Sequence, residues 1–433
     1  MPHAAGRLRR GDRQTSQCAR GAARMSRAKS AGALVAFMWV AYFLNYCDRQ
    51  AVFSMFPSLK ADLGMTDQQL GLTGAMFLWV YAFGCPIAGQ LADRFSKRLL
   101  VVLSLIVWSL VTVATGFAGS AFMLLGLRAA MGISESLFMP TAIALTANAH
   151  PPELRSRAIA VLTTAQIAGT VAGSWFGGWM ADRGQWRGAF FVLGAVGLLY
   201  AVPYFAFLRG VNENPAAETA TPSKSFAFPI LLRVRTFLLL CVVFPIFVFG
   251  LWLLYGWLPT FLKEKFSLNQ ADAAFNATIY LQLTTAIGLL GGGVLADKLY
   301  RRTKASRLWL MTASLILCAP CLHFLGSSDT LAVTRIAAAS FGLFSGLLMG
   351  NIFPAAFEVV PADTRASAVG ILNFCGAIMS GFAALFGGMW KQSLGIDRLL
   401  SITALAYLAA GIALIVGIKM LFPRDLVQTQ VSS

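Results

Sequence analysis

Of the 433 residues, 57% are hydrophobic and only 12% are charged, at a mean hydropathy of +0.68. A water-soluble globule could not cover so much apolar surface, so the composition excludes one and points to a membrane chain. The formal charge of +17 raises the question of a nucleic-acid partner, which only the placement of the basic residues can answer.

Residues 1–29 carry eight Lys and Arg, with "GRLRRGDRQ" and "ARGAAR" among them, and they lack the apolar core of a secretory signal. They read as a disordered basic tail, or as an extension upstream of a start at Met25, because "MSRAKS" already supplies the basic flank of a first helix. Cutting the sequence at every Asp, Glu, Lys and Arg then leaves twelve long uncharged runs: 30–47, 68–92, 99–127, 136–152, 158–181, 188–208, 236–262, 273–296, 308–328, 336–357, 366–390 and 399–418. Each is close to the roughly 17 to 25 residues that cross a bilayer as a helix. Their uniform apolarity, without alternation, selects helices over a barrel.

With the N-terminus inside, 25 of the 35 Lys and Arg fall in the two tails and the inner loops. Seven fall in outer loops (Lys60, Arg183, Arg187, Lys263, Lys265, Lys391, Arg398), and Arg49, Arg128 and Arg335 lie within spans. This is the positive-inside asymmetry, which predicts both termini in the cytoplasm. The basic excess therefore reports topology, and no nucleic-acid partner is expected.

Taken in order, the first span ends in "NYCDRQ", which puts Asp48 and Arg49 about 24 Å from its inner end, near mid-bilayer. The fourth enters from outside with "LRAAMGISES", placing Arg128 about 12 Å and Glu135 about 22 Å from its outer end. Seven residues is nearly two turns, so the pair shares a face. Ionisable groups are costly at this depth and by default mark function. The seventh and tenth spans carry no equivalent cluster. A carboxylate near an Arg in a site that alternately wets and dries can load and release a proton, while a second Arg can hold an anion through two parallel hydrogen bonds. That combination reads as proton-coupled anion transport.

An internal repeat organises the chain. "GQLADRFSKR" (Gly89–Arg98) returns in "GGVLADKLYRR", ending at Arg302, with seven identical or like residues at an offset of 204. In addition, Glu153 and Arg155 of "PELRSRA" match Asp363 and Arg365 of "PADTRASA" at an offset of 210. Duplication predicts an all-α integral membrane protein of twelve transmembrane helices in two pseudosymmetric six-helix bundles, 30–208 and 229–421. A polar cytoplasmic linker, 209–228, joins them, and 422–433 forms a cytoplasmic tail. "CAPC" at Cys318–Cys321 sits in an apolar helix without thiolate-stabilising charge and reads as packing. His3, His150 and His323 are scattered, and neither a Ser-His-Asp set nor a phosphate-binding loop is present. Enzyme activity, a metal and a cofactor are therefore not expected.

The Gly-x-Leu-Ala-Asp-Arg-x-x-Lys-Arg pattern, its second copy and the six-plus-six layout resemble the major facilitator superfamily from about residue 30 onward. The resemblance implies a secondary active transporter, here expected as a monomer in the inner (plasma) membrane. It also implies a charge-and-dipole latch on the cytoplasmic side, made by Gly89, Asp93, Arg94, Lys97 and Arg98 with Gly293, Asp297, Lys298, Arg301 and Arg302. "NYCDR", "GLTGAMFLWVYAFG", "RAAMGISES", "TTAQIAGTVAG", "GQWRGAFF" and "YGWLPTFLKEKFSL" resemble the anion:cation symporter branch, whose members import sugar acids and other organic anions with protons. That likeness implies proton sites at Asp48 and Glu135, a substrate-carboxylate ligand at Arg49, Arg128 as the partner of Glu135, and substrate contacts at Tyr46, Tyr81 and Gln166. From the second half, Tyr255, Trp257, Gln282, Asn351 and Asn373 are candidate polar or aromatic lining. Two alternatives stand beside this reading. "NYCDRQAVFSMFPSLKADLGMTDQQLGL" also resembles the spinster-like branch of lipid and lysolipid exporters. Gly169, Gly173, Gly177 and Gly178 follow the fifth-helix spacing of drug/proton antiporters, with Ser174 in place of the Pro.

Overall fold

In the computed structural model, twelve helices long and apolar enough to cross a membrane run through the described residues, 31–150, 152–210, 227–361 and 364–431. They are α1 (Ala31–Ser54), α2 (Asp67–Arg94), α3 (Lys97–Gly116), α4 (Ala121–Ser136, continued by Phe138–Ala149), α5 (Pro152–Asp182) and α6 (Trp186–Arg209), then α7 (Arg235–Phe266), α8 (Gln270–Tyr300), α9 (Ser306–Ser327), α10 (Leu331–Phe357), α11 (Arg365–Trp390) and α12 (Ile396–Met420). The tail 1–29 and nearly all of the linker 209–228 lie outside the described residues.

The helix starts are written in the sequence. Thr66 and Gln69 form a reciprocal capping box at α2, and Ser96, Ser120, Asn269 and Thr330 each accept an N–H at the starts of α3, α4, α8 and α10, satisfying donors the helix leaves orphaned. Gly64, at φ +63°, ends the short helix Phe56–Leu63 that leads from α1 to α2. Several span boundaries read from charge alone need correction. The cuts at Asp48, Arg128, Glu135 and Arg335 fall inside α1, α4 and α10. Those charges belong to helices, whereas the real break between α3 and α4 is the uncharged turn before the Ser120 cap.

Within the first half α3 packs on α6 and α2 on α4, and within the second half α8 packs on α10 and α9 on α12. Gly169, Gly173 and Gly177 put one bare stripe of α5 against α1, where a Cβ would run into Phe43 O, Cys47 Cα and Ala51 O. This close approach fixes the helix that bears Asp48 and Arg49. The halves meet along two seams, α2 with α11 and α5 with α8. At the face opposite the start of α1 and the end of α12, called the outer face here, Gly71 lies on Ala384 and Leu385, and Gly178 on Gln270. Cys318 and Cys321 are buried in α9, with their thiols toward the carbonyls of Phe341 (3.8 Å) and Leu317 (3.2 Å).

Candidate functional site

The charged residues of α1 and α4 meet in the interior of the first half. Arg49 donates to Glu135 Oε2 from Nη2 at 2.8 Å and from Nε at 3.3 Å, with side chains 5% and 0% exposed. Its guanidinium carbon stands 4.7 Å from the ring centroids of Tyr46 and Phe77 and 4.9 Å from that of Tyr81. The cation is thus held by one carboxylate and three π-faces, which together offset part of the cost of burying it.

The pairing corrects the expected Arg128–Glu135 contact. Those two residues lie on one face of α4 but about 10 Å apart along its axis, whereas Arg49 reaches Glu135 from the neighbouring helix. Arg128 is buried with its guanidinium 5.8 Å from the Phe190 ring. Its Nε and Nη2 have no hydrogen-bond partner among the described residues. The same holds for Asp48 Oδ1, Glu135 Oε1 and both amide atoms of Asn45. Six unpaired buried atoms in one cluster are far from the norm, in which nearly every buried polar atom is satisfied. Each costs about 1–3 kcal/mol if left so. The cluster therefore calls for water, a proton or a ligand.

The other predicted contacts divide. Tyr42 bonds Gln166 Oε1 at 3.1 Å and meets Tyr46 edge to face at 5.1 Å. A cavity of ≈ 130 Å³ lies beside Tyr42 and Gln166, walled by Met38, Phe138 and Leu162. From the second half, the Tyr255 hydroxyl lies beside Gln282 and faces Tyr46, so these two residues approach the site across the halves. Asn373 is exposed, about 12 Å from the start of α11. Two residues do not line a cavity. Trp257 is wholly buried against Phe56 (ring centroids 5.0 Å), and its indole N–H is spent on Ala384 O at 2.8 Å, making it a closing residue of the outer face. Asn351 is buried against Gly292 and donates to Leu347 O at 2.8 Å, so it belongs to the α8–α10 contact. Sequence reasoning missed Asn45 and Phe77. Asn45 was findable, being three and four residues before Asp48 and Arg49 on one helical face, while Phe77 carries no such signal.

At the inner face, Gly89 and Asp93 are described as helix backbone of α2 only. Arg94 is exposed, and Lys97 and Arg98 are half-buried. In the second copy Asp297 pairs with Arg307 of α9 at 2.9 Å, a residue outside the repeat, while Lys298, Arg301 and Arg302 are exposed. Arg307 also pairs with Glu358 at the end of α10, and burial pushes the Glu358 carboxyl above the usual range against that guanidinium. Arg307 thus ties three helices together, whereas Lys298, one residue on from Asp297, projects about 100° away from it. A Cβ on Gly293 would meet open space, so this glycine is not a packing contact.

Two six-helix halves, the first enclosing a buried acid–base cluster, have the architecture of a polytopic membrane transporter. The Major Facilitator Superfamily model matches residues 38–384, and the chain belongs to that superfamily. It is 31% identical over 300 residues to a probable sulfoacetate transporter of Cupriavidus necator (65% of this chain, 68% of the relative). It is 26% identical over 355 residues to the hexuronate transporter of Bacillus subtilis (79% and 83%). Its fold matches the crystal structure of a bacterial homologue of the human lysosomal transporter Spinster, in an inward-facing and occupied conformation. The TM-score is 0.79 at 21% identity, covering 91% of this chain and 98% of that one.

Proposed function

We propose that the protein imports a small organic anion, a sugar acid or another carboxylate, together with a proton, by alternating access across the inner membrane, with both termini cytoplasmic. The observation that carries this reading is the Arg49–Glu135 ion pair. The Nε and Nη2 edge of Arg49 is the edge a substrate carboxylate would take, so Glu135 and the substrate compete for it. A proton arriving on Glu135 weakens the pair and frees Arg49, which makes proton and anion bind together. On deprotonation Glu135 reclaims the guanidinium and expels the anion. Asp48, beside Arg128 and Thr112, is the second proton carrier. Tyr46, Tyr81, Gln166, Tyr255 and Gln282 contact the substrate, and the Asp93 and Asp297 motifs act in cycling at the inner rim. Support comes from the basic inner loops and from relatives named for sulfoacetate and hexuronate, both anions.

One feature favours a second reading, lipid transport. A crevice of ≈ 330 Å³ opens between α5 and α8, lined by Ile167, Ala168, Val171, Trp175, Phe275 and Ile279, a surface suited to an acyl chain. Proteoliposomes with an imposed pH gradient decide between the two. Glucuronate should accumulate in wild type, and Glu135→Gln or Asp48→Asn should abolish driven accumulation while leaving some exchange. Accumulation indifferent to the gradient, with lysolipid movement in its place, would overturn the proposal.

A further inference from the structure

The two seams between the halves close at the outer face by exchanged chemistry. At the end of α5, Asp182 accepts the N–H groups of Gln270 (2.8 Å, Oδ1) and Ala271 (2.9 Å, Oδ2), the first two residues of α8 in the opposite half. Gly178, one turn earlier, allows this, since a Cβ there would run into the Gln270 carbonyl. The side chains of Ser58 and Gln270 add a hydrogen bond at 3.0–3.2 Å. On the other seam Gln392, just beyond α11, donates to Asp67 Oδ2 at the start of α2 (3.1 Å), and Lys391 lies between Asp67 (3.7 Å) and Glu264 (2.5 Å). Gln392 stands 210 residues after Asp182 and Ala271 stands 204 after Asp67, the offsets of the two sequence repeats. The seams are therefore equivalents in which acceptor and donor have changed places.

The N–H groups of Gln270 and Ala271 are among the donors that α8 cannot satisfy within itself, and the helix dipole makes them attractive to an anion. Asn269 already takes the N–H of Asp272, which leaves these two for Asp182. If α5 and α8 part at the outer face, both must pass to water.

We propose that Asp182 is the clasp of an outer gate: a carboxylate that caps a helix of the opposite half and sets the balance between outward-open and outward-closed states. The clasp rests on the alternating-access reading above, and its test separates the two. Spin labels at Gln185→Cys and Asp329→Cys report the outer face and labels at Leu154→Cys and Ser367→Cys the inner face, in the full chain with native cysteines replaced, reconstituted in lipid nanodiscs. Asp182→Ala should raise the long-distance outer population about tenfold and shorten the inner distances in step. Asp182→Asn, which keeps one acceptor and the shape, should give a smaller rise, and Gln392→Ala a smaller one still. Asp62→Ala removes an equally peripheral carboxylate whose partners, Arg187 and Trp186, belong to its own half, and it should change neither distance. Outer distances unmoved in both Asp182 variants, with wild-type melting, would overturn the clasp and leave alternating access standing. An equal shift in Asp62→Ala would overturn it too. Inner and outer distances fixed in every protein would overturn both.

Discussion

The helices α4 and α10 hold equivalent places in the two halves and share a close glycine contact, Gly132 against Phe77 O of α2 and Gly342 against Leu281 O of α8, yet the rest of their buried faces differs. An offset of 210 from Arg128 and Glu135 leads to Ala338 and Ser345. On α10 this small-residue face meets α8 backbone to backbone, where a Cβ on Gly342 or Gly346 would strike Leu281 O or Thr285 O, and one on Gly288 would strike Leu343 O. On α4 a Cβ on Gly132 would likewise strike Phe77 O of α2, but the places of Ala338 and Ser345 are taken by Arg128 and Glu135, which bring one ion pair to α1 and a set of unpaired polar atoms. In a bilayer, close contact is what holds helices together. Both halves use it, and the first half in addition buries groups that can change proton and partner. A duplicated frame thus carries its buried charge cluster in one copy.

Breaking the Arg49–Glu135 pair should have the largest effect. Arg49→Ala should cut anion binding at least about 100-fold, and by stranding Glu135 it should cost about 3–5 kcal/mol of stability, seen in thermal melting. Adding Glu135→Gln should restore the melting temperature but not the binding, and Arg49→Lys, which keeps the charge without the planar fork, should be intermediate. Wild-type melting and binding in Arg49→Ala would remove the basis for treating the first half as the chemical one.

Glycine substitutions sharpen the contrast at a smaller cost, about 1–3 kcal/mol or more for overpacking. Gly173→Leu should push α1 off α5 and displace Asp48, losing stability and changing the pH dependence of the residual uptake. Gly288→Leu in the second half should lose similar stability and leave that pH dependence alone. Gly293→Ala, which faces open space, should melt and transport as wild type.

The sequence revealed much of the frame because lipid punishes both charge and unpaired backbone, so uncharged runs and capping residues report helices almost directly. It misplaced span ends where charge sits inside a helix, as at Asp48, Arg128, Glu135 and Arg335, and where a turn carries none, as before Ser120; most of those charges are the candidate functional positions. Depth along a helix follows from residue counting, and hence Asp48, Arg49, Arg128 and Glu135 were legible as one mid-membrane set. Which Arg takes Glu135 depends on how α1 is rotated and seated against α4, which no single-helix periodicity encodes. For the same reason Trp257 and Asn351 looked like lining and proved to be packing. Asp182 gave no signal, since a carboxylate after a span, next to Arg183, looks like any loop charge.

The smallest effect tests the comparison from the periphery. Asp62 accepts hydrogen bonds from Arg187 and from Trp186 Nε1 (2.9 Å), in that order the main causes that hold its carboxyl below the usual carboxylate range. A carboxyl with a depressed folded-state pKa contributes stability that is present above its unfolded value, about 3.9, and is lost as the pH falls through the folded value. The group is well exposed and screened by solvent, so Asp62→Asn should lower the melting temperature by only about one to three degrees at neutral pH. That difference should shrink in high salt and vanish in acid, with uptake unchanged throughout. A deficit that persisted at low pH would assign the stabilisation to the neutral Trp186 hydrogen bond instead of the ion pair. A loss of uptake would show that charge chemistry in the first half extends beyond the α1–α4 core to its outer loops.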